Sequence, residues 1–177
     1  MIHRSKIEVL NSRAAASALG FIVAAAAEAA AAGMGLEKVI EAAKEMMGKV
    51  HLLGMFDTLY FLARTGRLAR AAAWGDALLN IKPILGHEPS VGETMPVARP
   101  RTREKALNVM LTMMDKMVNG SPAHVIVQHA GEESAGQQLL ERIKTRFNCV
   151  EQHLTEFTPV MGVHTGPGLL AIAFYTD

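Results

Sequence analysis

The chain has 177 residues, half of them hydrophobic and a fifth charged. That is the length of one domain, or of one domain and part of another, with enough apolar content to bury a sizeable core. A formal net charge of +1 excludes a broad electrostatic field for nucleic acid or an acidic membrane. The single cysteine, Cys149, excludes an internal disulfide and suits a reducing compartment; within "NCVEQHLTEF" it reads as a small apolar residue in or beside a sheet.

In chain order, "KIEVLNS" (6–12) has the β-branched alternation of a short strand ending in Asn-Ser turn chemistry. The alanine run over 14–32 is interrupted by Ser17, Gly20 and Glu28. Alanine is only weakly apolar, so the run predicts a closely packed helix rather than a membrane span or signal segment. Gly33 and Gly35 end it. Leu36, Val39, Ile40, Ala43 and Met47 then repeat at helical spacing up to a stop at Gly48, and "KVHLLGMF" reads as a strand. This order points to α/β layering.

In the middle, "DTLYFLARTG" predicts a short helix capped by Asp57 or Thr58 and closed by Gly66. "RLARAAAWGDALL" predicts another helix, and "IKPIL" a short strand with Pro83 at its edge. Turn formers fill 86–92, and "TMPVAR" returns as a strand. Arg101 and Thr102 open a helix whose Leu107, Met110, Leu111, Met114 and Met117 share an apolar face, read as core. "AHVIVQHA" and "CVEQHLTEF" are strands around the helix "EESAGQQLLERIKTRF". Thr158 and Pro159 begin one short turn, a glycine-rich loop "GVHTGPG" follows, and "LLAIAFY" is the closing strand.

Seven histidines invite a search for metal sites, but no His or Cys spacing of that kind occurs, and His124 and His129 point to opposite faces of one strand. No nucleophile elbow or phosphate loop is present. The glycines of "GVHTGPG" precede a strand, so they are not a dinucleotide fingerprint. Gly162, Gly166 and Gly168 free the backbone for positive φ or close approach, and His164 and Thr165 stand among them as donors and acceptors. The stretch suits either a held polar ligand group or a tight loop with a surface histidine. Arg67, after Gly66, can reach off a helix junction; Arg101, at a strand-to-helix junction, can favour an anion. Lys82 is a further such cation or a sheet-edge charge.

Taken in order, "VLNSRAAASALG", "DTLYFLARTGRLARAAAWGDALLNIKPIL", "VARPRTREKAL" and "GVHTGPGLLAIAF" resemble the DegV family of bacterial fatty-acid-binding proteins, over nearly the whole chain. The resemblance implies an α/β fold: a DegV-like C-terminal domain over 51–177, a mixed sheet flanked by helices, preceded over 1–50 by a strand and two helices left from the first domain. It implies a carrier rather than an enzyme, with a long-chain fatty acid held between two α/β domains and its carboxylate presented to a fatty acid kinase. Neither cofactor nor metal is implied, and the setting is cytoplasmic. His164 and Thr165, with Gly166 and Gly168, would sit at the carboxylate end; Arg67 and Arg101 match arginines at the acyl-phosphate end and the kinase-facing surface.

The family pattern extends well ahead of Ile7, and its Asp before Ser12 is replaced by Asn11. The expectation is therefore a C-terminal part that binds lipid weakly alone and seeks a second copy or a complementing N-terminal domain. Two rival readings remain. One is a structural or regulatory remnant that oligomerises through an exposed apolar face and binds no lipid. The other is an anion- or phosphate-binding enzyme using His164 as acid/base.

Overall fold

The computed structural model describes residues 6–67, 81–88 and 92–177. Along the chain lie α1 (Ala16–Ala31), α2 (Leu36–Lys49), β1 (His51–Met55), α3 (Tyr60–Arg64), β2 (Ile84–Glu88), β3 (Glu93–Ala98), α4 (Arg103–Val118), β4 (Ala123–His129), α5 (Glu133–Arg146), β5 (Cys149–Glu156), α6 (Pro159–Thr165) and β6 (Leu170–Thr176). The six strands form one mixed sheet in the order β3-β2-β1-β6-β4-β5. β4 and β5 are parallel and the other pairs antiparallel, in keeping with the α/β expectation.

Alternation along each strand sends side chains to two faces. On one face, Leu53, Met55, Val125, Val127, Leu170, Ile172 and Phe174 meet Met110 and Met114 of α4 and Leu139 and Ile143 of α5. Each such side chain, fully buried, contributes about 1.5–3 kcal/mol. α4 starts where the Thr102 hydroxyl accepts from the Lys105 N–H at 3.3 Å, and stops at left-handed Asn119, φ +49°. On the other face, Phe21 and Ile22 of α1 and Ala43 of α2 pack on Val50 and Ala173. Alanine has the strongest helix propensity, and its small side chain lets α1 lie close. Leu59 and Leu62 gather beside them with Phe56, Phe157, Leu169 and Ala171.

Several expectations need correction. Residues 6–12 form no strand; Ile7 and Val9 are 82% and 94% exposed. Their alternation is paired with no strand of the sheet, and strand preference is realised only in such a context. α2 runs through Gly48 to Lys49. β2 continues through Gly86 to Glu88, where turn formers were expected, and lies between β1 and β3. Pro83 immediately precedes β2, and its carbonyl accepts from the Phe56 N–H at 2.9 Å. Met117 leaves the apolar face of α4 and is 42% exposed. Thr158 and Pro159 open a helix of seven residues that takes in Gly162, His164 and Thr165, so only the end of "GVHTGPG" is loop. The helix expected over 67–79 lies, from position 68 on, outside the described residues. Among the described residues, no helix is long and apolar enough to cross a membrane, and no cluster of His, Cys, Asp or Glu could hold a metal ion.

Candidate functional site

The register of the sheet makes a hollow. Leu85, Gly54, Ala171, Gln128 and Thr155 stand opposite one another across β2, β1, β6, β4 and β5. Gly54 and Ala171 sit in the middle of that row and supply almost no side chain, which leaves space above the sheet there. A cavity of about 270 Å³ results. Leu52, Gly54, Phe56, Leu85, Leu169 and Ala171 form its floor and sides, with Leu62, Phe157 and Met161 over them. Ala15 and Ala16 close one wall.

α1 has no side-chain cap of its own. Instead, the Ser17 N–H donates to Gln128 Oε1 at 2.9 Å, and Gln128 Nε2 donates to Thr155 Oγ1 at 3.3 Å. A free helix-terminal N–H is thereby satisfied from the sheet, which pins the Ala15–Ala16 wall.

Three of the six site residues read from the sequence meet at this cavity: Arg67, His164 and Thr165. Nδ1 of His164 is buried with no hydrogen-bond partner among the described residues. The Thr165 hydroxyl, in a residue only 6% exposed, donates to the Met161 carbonyl at 3.1 Å. Arg67 is exposed, and its guanidinium donates to the Thr65 carbonyl. A histidine and an arginine beside an apolar hollow can orient an anionic head group whose tail is hydrocarbon.

Gly166, Gly168 and Arg101 are not among the lining residues. The two glycines act through close approach. A Cβ on Gly166 (φ +71°) would stand 2.2 Å from Cδ2 of Phe61, and one on Gly168 (φ +86°) would stand 2.6 Å from Oδ2 of Asp57. Their N–H groups are already engaged, by the carbonyls of Gly162 at 2.8 Å and Ala130 at 3.0 Å. Gly162 has neither positive φ nor a close neighbour, contrary to the expectation for all three. Arg101 is exposed ahead of α4.

Neither Asp57 nor Thr58 is the α3 cap, which falls on Leu59 without a side-chain bond. Thr58 Oγ1 accepts from the Tyr60 N–H at 3.1 Å, while the Asp57 carboxylate pairs with Lys82 at 3.0 Å and Arg103 at 3.5 Å. Arg103 reaches on to Glu132 at 3.3 Å. Lys82 is therefore part of a charge-balanced cluster rather than an open anion site. His87 and Thr94 line the cavity and were not read from the sequence, because only the β2–β3 register brings them together.

A profile of the DegV family, described as uncharacterised protein of that family, matches residues 1–177. A DegV domain-containing protein of Clostridium acetobutylicum is 37% identical over 177 residues, covering 98% of this chain and 60% of that protein. A structure described as fatty acid binding of a DegV family protein from Thermus thermophilus superposes with a TM-score of 0.90 at 26% identity, covering 98% of this chain and 62% of that one. DegV from Bacillus subtilis, described as a fatty acid binding protein, gives 0.82 at 30% identity, covering 95% and 60%. The chain thus spans about three fifths of the length of these relatives.

Proposed function

The chain belongs to the DegV family, and from that premise we propose that its cavity takes part of the acyl tail of a long-chain fatty acid, with the carboxylate beside His164. The protein acts as a carrier rather than an enzyme and needs no cofactor. The observation that carries this reading is the His164 imidazole, whose buried Nδ1 has no partner among the described residues at the edge of an apolar hollow. A desolvated carboxylate requires donors, and His164 with Arg67 can supply them. The Thr165 hydroxyl can turn from Met161 to join them, while Gly166 and Gly168 hold the turn that sets both side chains. Burial of the tail contributes about 0.8 kcal/mol per methylene. The relatives described as binding fatty acids support the same ligand class.

At about 270 Å³ the cavity falls just below the ~300–1,000 Å³ of typical small-molecule sites. We take the rest of the tail to be covered by another surface, a complementing N-terminal domain or a second copy of the chain. Arg67 at the cavity and Arg101 on the outside are the cations offered to a fatty acid kinase, in the cytoplasm. One observation favours the rival reading of an oligomerising remnant without lipid: Ile7, Val9 and Val23 are exposed apolar residues. Isothermal titration with palmitate separates the two. Saturable binding at one site per chain is expected, weak for the chain alone; an absence of saturable heat with a stable oligomer would leave only the rival.

A further inference from the structure

The cavity has a second polar wall. His87 and Thr94 stand opposite each other on β2 and β3, and both line it. Continuing the β1–β2 register beyond Leu53–Gly86 sets His87 beside Leu52, four residues back along β1 from Phe56. At about 3.3 Å per residue, that is roughly 13 Å along the strand direction. His164 and Thr165 belong to the Phe56 end, because they run directly into Gly168, which abuts Asp57. Between the two ends the lining is apolar: Leu52, Gly54, Leu85 and Ala171.

With the carboxylate beside His164, a plain methylene tail offers the second wall nothing to bond. Imidazole and threonine hydroxyl can each donate and accept, which matches a group that also does both. We infer that the preferred ligand is an acyl chain bearing a hydroxyl along its length, held by His87 and Thr94 while His164 holds the carboxylate. This rests on the fatty-acid reading above.

The test is displacement of a fluorescent acyl probe by stearate, 10-hydroxystearate and 12-hydroxystearate. At least one hydroxy acid is expected to bind about two- to tenfold more tightly than stearate, the worth of one net hydrogen bond. His87→Leu and Thr94→Val should each bring the ratio of hydroxy-acid to stearate affinity down to about one. Thr94 is exposed, so its isosteric variant keeps the test available if His87→Leu does not fold. Equal or tighter binding of stearate by the parent overturns the inference and leaves the fatty-acid reading standing. A preference that survives both substitutions overturns it too. Failure of all three acids to displace the probe or bind directly overturns both readings.

Discussion

Gly166→Ala should damage the protein severely, although it adds one methyl group. The backbone there has φ +71° and ψ +173°, a region almost confined to glycine, where another residue is strained by about 1–3 kcal/mol. The new Cβ would also lie 2.2 Å from the Phe61 ring. Phe61 is on α3, and α3 packs against α6, so relief requires the two helices to separate. Overpacking of this kind adds about 1–3 kcal/mol. The sum, roughly 2–6 kcal/mol, lowers Tm by about 5–20 °C for a chain of this size. Gly162→Ala is the control: it lies inside α6 with nothing within 4 Å of its Cβ, and exchanging a helical glycine for alanine is worth up to about 1 kcal/mol in the stabilising direction. Thermal unfolding by circular dichroism reads both. A Gly166→Ala protein melting within a degree or two of the parent, or a Gly162→Ala protein that is the worse of the two, would refute this reasoning.

His164→Ala should weaken fatty-acid binding about ten- to hundredfold, the loss of a hydrogen bond to a charged group, with little change in Tm; displacement titration measures it, and unchanged affinity removes His164 from the site. Ala171→Phe should abolish binding by filling the hollow over Gly54 while the sheet stays folded, which the same titration and a circular dichroism spectrum check together. Burial lowers the pKa of His51 from its ordinary 6.5, so the unfolded chain takes up that proton more readily than the folded one. The stability contribution is present above about pH 6.5 and is lost as pH falls below it. Urea unfolding across pH 5 to 8 should show this acid-side loss reduced in His51→Gln, and an unchanged profile would assign it elsewhere.

Most elements could be read from periodicity alone. The helical spacing of Leu107, Met110, Leu111 and Met114, and the apolar runs "AHVIVQHA" and "LLAIAFY", marked core positions that the structure buries. The misses share a cause: they depend on partners that local pattern does not specify. Ile7 and Val9 alternate like a strand but pair with none. Gly86 resembles a turn former, yet the backbone of β2 passes through it beside Val97. In "GVHTGPG" the three glycines look equivalent; only tertiary contacts show that Gly166 and Gly168 are needed for close approach and Gly162 is not. At the site, His164 and Thr165 could be singled out because polar residues among glycines are locally conspicuous. Gly54, Ala171, His87 and Thr94 could not, since cross-strand register alone assembles them. Asp57 looked like a helix cap because its partners Lys82 and Arg103 are distant in sequence.

The most direct test of the account is native mass spectrometry of the protein with excess palmitate, run beside Ala171→Phe. We expect one palmitate per chain, or per completed assembly, on the parent and none on the variant. No adduct on the parent, or an equal one on Ala171→Phe, would contradict the claim that this cavity is the lipid site.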